Sequence, residues 1–144
     1  MADTTPAAFD PAPKQLGSTI SCTAGATILA GQVVGFAGTG VSWTVHPAVL
    51  GTTSGIVGVA LNSAATGETV AIASIGSVVK VCEGKGSAID AGDWISASAV
   101  AGCVVTLSVA SAAAEGVGVA LEDIGANSTG YVLIFPWYVG KAAS

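Results

Sequence analysis

The residues that could carry out catalysis are few in this chain, and they do not form a recognisable constellation. His46 is the only histidine, and it precedes Pro47 at the end of a segment that alternates polar and apolar residues. A serine nucleophile would need this histidine as its base, yet no serine stands in a nucleophile-elbow pattern with a histidine downstream. We expect His46 to be a surface or turn residue, and we predict that the protein is not an enzyme.

The acidic residues and the glycine-rich segments are weak candidates for ligand binding. Glu83, Asp90 and Asp93 could supply oxygen ligands, but their spacing differs from that of a calcium-binding loop. We expect the two aspartates to stand in a turn, and Glu122-Asp123 to form a solvated loop. Gly84-Lys85-Gly86-Ser87 lacks the preceding glycine and the hydroxyl residue directly after lysine that a phosphate-binding loop requires. The sequence therefore predicts no metal and no cofactor.

Three cysteines, Cys22, Cys82 and Cys103, are too few, and odd in number, for a disulfide framework. None has metal-ligand spacing to another, and each lies in an apolar run typical of a strand. A buried thiol in such a run behaves as a small hydrophobic side chain. We expect three buried thiols, which is compatible with production in a reducing cytoplasm.

Charge is sparse in this chain and excludes some classes of partner. The 144 residues include four lysines, no arginine and nine acids, for a net charge of -5. Arginine is the preferred side chain for phosphates and base edges, so we expect no nucleic-acid binding. No apolar run approaches the roughly 18 residues of a membrane-spanning helix, and we expect neither a membrane partner nor a cleaved signal peptide. A surface with so little charge is prone to association, which hints at an obligate protein partner.

The composition favours short strands joined by tight turns. Apolar residues make up 51% of the chain but aromatic residues only 6%, and there are 20 glycines. β-Branched residues suit a pleated sheet, and glycine supplies the turns. One alternating segment predicts a strand with Val41, Trp43 and Val45 on one face.

The same strand-and-turn pattern occurs twice, about sixty residues apart. Val57-Gly58-Val59-Ala60-Leu61 recurs as Val117-Gly118-Val119-Ala120-Leu121. Further matches in the same order join Ile28–Val34 to Ile89–Ile95, Cys22 to Cys82, and Thr66-Gly67 to Thr129-Gly130. The pattern predicts an all-β protein: one small barrel-like or sandwich domain over residues 18–144, built from repeats at about 18–75 and 76–139. The repeated residues are apolar or turn residues, which favours a structural or binding protein.

Residues 1–17 differ from the rest and predict an extended N-terminal arm. Three prolines remove backbone donors and favour extended conformations. Such an arm is held either by a neighbouring subunit or by its own domain. The candidate partner-binding residues in the arm are Thr4, Thr5, Pro6, Phe9, Pro11 and Pro13.

The carboxy-terminal end concentrates aromatic residues, namely Tyr131, Phe135, Trp137 and Tyr138. Aromatic side chains dominate interface energetics when they are desolvated, but they also fill cores. We expect Phe135 to belong to the core. For Trp137 and Tyr138 both alternatives stay open, and they are the candidate residues for an oligomer interface.

Beyond these patterns, the chain resembles the capsid-cement, or head-decoration, proteins of tailed phages and related viruses. The segments that carry the resemblance are Ala30–Val34, Gly55–Leu61, Thr66–Ile72, Gly76–Val81 and Ile89–Ile95, which follow the proline-rich arm. The resemblance implies a virion structural protein, made in the host cytoplasm, that forms homotrimers on the outer capsid surface. It further implies that arms reach onto neighbouring major capsid protein subunits and stabilise the head. The family has no catalytic residues to transfer.

Other functions compete with this one. A glycan- or receptor-binding β-module of a phage tail or fibre would use exposed aromatics such as Trp94, Trp137 or Tyr138 as stacking platforms. A tail-tube component is an adjacent possibility, and a small hydrolase lacks paired catalytic groups. Deleting the arm should abolish capsid stabilisation but leave an aromatic sugar site intact.

Overall fold

A computed structural model describes residues 7–37, 41–50, 53–107 and 114–139. All the regular secondary structure in these ranges is strand, which confirms the all-β prediction. The strands are β1 (Thr19–Ala24), β2 (Val33–Ala37), β3 (Thr44–Pro47), β4 (Thr53–Ala60), β5 (Thr69–Ala73), β6 (Val78–Cys82), β7 (Trp94–Ala97), β8 (Val104–Thr106), β9 (Ala114–Ala120) and β10 (Thr129–Val139). Over the described part of the chain, no helix has the length and apolarity needed to cross a bilayer.

The first five strands form a closed barrel in the order β1-β3-β2-β4-β5. Antiparallel pairing of β5 with β1 closes it, while β1 and β3 run parallel and pair Thr23 with Thr44 and Ala24 with Val45. Inward-facing side chains of these strands and their turns fill the interior. The buried cluster consists of Cys22, Ala24, Ile28, Val34, Val45, Ala60, Ala64, Val70 and Ile72.

The last five strands repeat the pairing order of the first five. Their sheet runs β6-β10-β9-β7-β8, and β6 and β8 meet in a single parallel bridge between Glu83 and Val104. We call this junction the second seam, and the β1–β3 pair the first seam. Gly84 N donates to Val104 O at 3.0 Å in the second seam, as Gly25 N donates to Val45 O at 2.8 Å in the first. The second half is therefore a five-stranded sheet with the pairing order of the first barrel, and its edge strands approach each other only at this bridge.

Close backbone approach explains the repeated glycines of the Val-Gly-Val-Ala-Leu segments. A Cβ at Gly58 would collide with the carbonyl oxygen of Ala73, and a Cβ at Gly118 with that of Leu133. Both carbonyls belong to the strand paired alongside, β5 in one half and β10 in the other. Only glycine allows the strands to pack this closely.

The pairing register contradicts the sequence match between Cys22 and Cys82. Cys22 pairs with Val70, whereas Val81 pairs with Gly130, sixty residues beyond Val70. Val81 is thus the structural counterpart of Cys22, and the match to Cys82 is wrong by one residue. A shift of one residue turns a side chain to the other face of the sheet. Cys82 accordingly packs in a separate buried cluster, apart from the first barrel's interior.

Two predictions about side-chain direction are wrong for local reasons. Val45 is buried, but Val41 and Trp43 are 66% and 62% exposed, because β3 begins only at Thr44 and Trp43 has a positive φ of 57°. This left-handed residue interrupts the alternation. Phe135 is 50% exposed and does not belong to the core, since the preceding Ile134 faces inward and side chains alternate along β10.

The two halves share one core. The largest buried cluster combines Val33, Ala48, Val59 and Ala73 of the first half with residues from every strand of the second. Backbone hydrogen bonds also cross between the halves: Val33 N donates to Gly102 O and Gly102 N to Ala48 O, both at 2.9 Å. Packing across this junction holds the two sheets together.

Candidate functional site

The buried acid Glu83 holds two loops and is not arranged as a catalytic or metal-binding group. Its carboxylate accepts hydrogen bonds from Lys85 N at 2.6 Å, Gly86 N at 2.9 Å and Asn127 N at 2.8 Å. Three backbone donors satisfy a buried carboxylate without a cation. Among the described residues, no group of three or more His, Cys, Asp or Glu side chains could hold a metal ion.

Three further acids of the second half, Asp93, Glu122 and Asp123, accept hydrogen bonds from backbone amides. Asp93 Oδ2 accepts from Asp90 N at 3.1 Å, which confirms the predicted turn. Glu122 and Asp123 are exposed, as expected for a solvated loop. Their carboxylates also hold that loop in place: Glu122 accepts from Tyr131 N at 3.0 Å, and Asp123 accepts from Ala91 N at 2.9 Å. The counterparts that accept the equivalent bonds in the first half are Gln32, Asn62 and Ser63. The duplication has kept hydrogen-bond acceptors at these positions and has not kept carboxylates.

His46 is half-buried at the end of β3, which corrects the expectation of a surface or turn residue. Its ring packs so closely over Gly25 that a Cβ there would lie 2.5 Å from it. Nδ1 is buried and has no hydrogen-bond partner among the described residues. The side chain therefore serves packing at the first seam.

The described part of the arm, from Ala7 to Gly17, lies along the edge of β6 in its own chain. Lys80 N donates to Pro11 O at 2.8 Å, Lys14 N to Val78 O at 2.9 Å, and Val78 N to Gln15 O at 2.8 Å. Gln15 and Val78 form an antiparallel bridge. The arm thus covers backbone groups that a sheet edge would otherwise present to another chain.

Phe9 anchors the arm where the two halves meet. Its N–H donates to Ala30 O at 3.1 Å, in the first half. Its half-buried ring packs against the cluster of Cys82, Val100 and Cys103, in the second half. Gly31 makes room for the ring, since a Cβ there would lie 2.5 Å from it, and its φ of +92° also favours glycine.

Tyr131 is a second anchor, which the sequence analysis counted only as one of the carboxy-terminal aromatics. Its hydroxyl donates to Ala12 O at 2.8 Å. The ammonium groups of Lys14 and Lys80 lie 4.8 and 5.5 Å from the centre of its ring, within cation–π range. The only sequence signal was an aromatic residue on the polar side of β10, and this could not reveal a partner 119 residues away.

The arm residues singled out from sequence fall into three groups. Thr4, Thr5 and Pro6 lie outside the described residues. Phe9 is half-buried and Pro11 buried against the chain's own domain, whereas Pro13 is exposed. Of the two alternatives for what holds the arm, this part of it is held by its own domain.

The candidate interface residues at the carboxy-terminal end lie in β10. The backbone of Trp137 pairs with Gly116 and that of Tyr138 with Glu115, beyond a register irregularity that follows Ile134. Their side chains are outside the description, so their role in an oligomer interface stays a prediction.

An exposed apolar surface lies beside an open cavity in the first half of the chain. Trp43 stands beside an open cavity of about 360 Å³, lined by Ile20, Cys22, Phe36, Ser42, Trp43 and Val57. Neighbouring Val41 is exposed as well. A second exposed apolar pair, Leu16 and Ile75, lies at the base of the arm, where Ser18 N donates to Ile75 O at 3.0 Å. Neither surface was predicted from the sequence, where alternation placed Val41 and Trp43 on the same face as Val45.

A closed barrel, a second sheet with the same pairing order, an edge-bound arm and acids that accept from backbone donors are features of a structural scaffold. Comparison with known families matches residues 13–135 to the phage cement proteins, and the chain belongs to that family. The match confirms the resemblance noted in the sequence and indicates a structural role in the phage capsid. Residues 1–12 lie outside it. A search of curated proteins returned no match.

Proposed function

We propose that this protein binds the outer surface of the phage head as a homotrimer and bridges neighbouring major capsid protein subunits. The observation that carries the proposal is the family match over residues 13–135. A cement protein stabilises a shell only if it contacts more than one subunit of it. Bridging is therefore the mechanism that best fits membership of the family.

Different residues of the arm have different roles in this proposal. Phe9 and Pro11 are engaged on the chain's own domain. Thr4, Thr5 and Pro6 then reach the capsid protein, and the exposed Pro13 faces it as well. An extended segment can add main-chain hydrogen bonds to an exposed sheet edge. Each short arm binds weakly, and three arms on one trimer raise the affinity through effective concentration.

The surface composition supports attachment through apolar contacts. Val41 and Trp43 are largely exposed next to an open cavity, and charged residues make up only 9% of the chain. Exposed apolar residues grouped in this way mark interaction surfaces. We assign Trp137 and Tyr138 to the contacts between copies, because the end of β10 carries two large aromatics in succession.

Charge and site chemistry support the location and the absence of catalysis. A net charge of -5 without arginine suits the outside of a shell whose cargo is DNA, since it offers the cargo no attraction. Glu83 and Asp93 are used to hold backbone amides, and we propose no catalytic role for them. Synthesis takes place in the host cytoplasm. The family match gives no support to the glycan- or receptor-binding alternative, which we do not pursue.

The proposal is tested with expanded heads of the phage that lack this protein. We expect the full chain to bind them, to shift their thermal disruption to higher temperature, and to sediment as a trimer in their absence. A chain beginning at Ala7 should keep its fold and lose affinity by roughly ten-fold or more, because the avidity of three arms is lost. The matched control is Ala99→Ser, a small change at an exposed position of a loop in the second half.

The result that would contradict the proposal is equally specific. A chain beginning at Ala7 that binds heads as tightly as the full chain would show that residues 1–6 do not contact the capsid. A full chain that binds without raising the disruption temperature would refute bridging. Circular dichroism and thermal unfolding of the truncated chain confirm beforehand that the fold is intact.

A further inference from the structure

Two cysteines that sequence analysis treated as separate buried thiols lie in contact. The sulfur atoms of Cys82 and Cys103 are 2.6 Å apart, and the side chains are 3% and 0% exposed. Unbonded sulfur atoms do not normally approach so closely, and a covalent bond would need a further movement to about 2.05 Å. The two residues come together although 21 positions separate them in the chain.

Their place in the fold gives the contact a consequence. Cys82 immediately precedes Glu83, and Cys103 immediately precedes Val104, the two residues that form the bridge of the second seam. The corresponding pair in the first seam is Thr23 and Thr44, one residue before the Ala24–Val45 pair. The cysteines therefore replace a threonine pair at the narrower of the two junctions.

We propose that Cys82 and Cys103 form a disulfide when the protein leaves a reducing compartment and meets a small-molecule disulfide, and that Cys22 remains a thiol. The bond would covalently join the end of β6 to the residue that precedes β8, at the second seam. Cys22 lies in the interior cluster of the first barrel, apart from the other two. The inference concerns the fold of the chain and does not rest on the proposed binding to capsids.

The two sulfurs have different roles in the exchange. The Cys82 and Cys103 sulfurs share a hydrogen bond, which lowers the pKa of Cys103 against the opposing effects of burial and of Glu83. The same hydrogen bond and burial raise the pKa of Cys82. Cys103 is accordingly the first thiolate to form and the attacking group.

The reaction then proceeds in two displacements. The Cys103 thiolate attacks one sulfur of the small-molecule disulfide, breaks its S–S bond and releases one small thiolate. Cys82 loses its proton to solvent, and its sulfur attacks the Cys103 sulfur, releasing the second small thiolate. One small disulfide and two protein thiols become one protein disulfide and two small thiols. Because both side chains are buried, the exchange requires local opening of the loop that Phe9 covers.

The lysines of the chain permit a direct test. Trypsin cleaves after Lys14, Lys80, Lys85 and Lys141, so that the three cysteines fall in separate peptides: Cys22 in 15–80, Cys82 in 81–85 and Cys103 in 86–141. The folded chain is incubated with oxidised glutathione, the excess is removed, the chain is unfolded in denaturant with N-ethylmaleimide at near-neutral pH to alkylate its free thiols, and the digest is analysed by mass spectrometry. We expect peptide 81–85 linked to peptide 86–141, and alkylated Cys22.

Matched variants and a stability measurement complete the test. Cys22→Ala should keep the linked pair, whereas Cys103→Ala should lose it and leave Cys82 alkylated. Oxidation of the natural chain should raise the midpoint of thermal unfolding by roughly 5–10 °C, reversed by a reducing agent, because the bond closes a loop of about twenty residues. Three alkylated cysteines after incubation, or a linked peptide that contains Cys22, would overturn the inference.

Discussion

The two halves of this molecule have the same pairing order, but the first is a closed barrel and the second is a sheet whose edges meet at one bridge. In the first half, β1 and β3 pair over two residues, and Thr23 N also donates to Trp43 O at 2.7 Å. In the second half, β6 and β8 meet at the single Glu83–Val104 bridge. The features that have no equivalent in the first half all gather around that bridge: the buried Glu83, the Cys82–Cys103 contact and the docked arm.

This difference shows how a duplicated scaffold can diverge without losing its fold. Ala24 is the register counterpart of Glu83, and it is a small buried residue in a junction that needs no further support. At the second seam, fewer backbone contacts are supplemented by three charge-assisted hydrogen bonds to one carboxylate. The weaker junction has thereby become the place where the arm is anchored.

The largest loss of stability is expected at Gly58 and Gly118, where the two halves are most alike. Gly58→Ala and Gly118→Ala should each lower the free energy of unfolding by about 3 kcal/mol, because the added Cβ collides with a carbonyl of the paired strand. Urea unfolding measures both. We expect Gly58→Ala to be at least as severe, since the closed first barrel has less freedom to relax.

Gly55→Ala is the control for these two variants, because a Cβ there meets no atom within 4 Å. It should change the free energy of unfolding by less than about 0.5 kcal/mol. If Gly118→Ala were as mild as Gly55→Ala, the two halves would not share the close strand contact described above.

A smaller loss of stability is expected at Glu83, where the two halves differ. Glu83→Ala should lower the free energy of unfolding by about 2 kcal/mol, because three backbone donors lose their acceptor in a buried site. Denaturant titration of this variant is compared with Glu68→Ala, which removes one exposed acceptor from Ala65 N in the first half.

Glu68→Ala should fall within about 0.5 kcal/mol of the natural chain. Glu83→Gln, which keeps one oxygen acceptor, should lie between the two. Equal stability of the Glu83→Ala and Glu68→Ala variants would mean that the second seam does not depend on its carboxylate.

The smallest loss of stability is expected at Tyr131, which attaches the arm. Tyr131→Phe removes the hydroxyl that donates to Ala12 O and should destabilise the chain by about 1 kcal/mol. Hydrogen exchange should show the loss locally, as faster exchange of the Lys80 amide, which donates to Pro11 O. Unchanged protection of that amide would show that Tyr131 does not hold the arm. The matched control is Phe135→Ala, a half-exposed residue of the same strand.

Much of the fold follows from local pattern. The strand type and the turn glycines are properties of residues close together in the chain, and the all-β prediction based on them is confirmed. Predictions about individual side chains failed: Trp43 adopts a left-handed conformation, the cysteine match is shifted by one residue, and Phe135 is exposed on β10. These outcomes leave no signal in a single sequence, because they depend on backbone conformation and strand pairing in the folded chain.

The sequence by itself determined a doubled all-β scaffold with few charged residues, since strand propensity, apolar pattern and turn chemistry act over short distances. Only the tertiary structure decided that the arm lies on β6, that Tyr131 holds Ala12 and that Cys82 meets Cys103. These contacts join residues 21 to 119 positions apart. The geometry of the packed barrel and sheet determines which of these residues meet. That geometry is what turns a repeated pattern into two unequal halves.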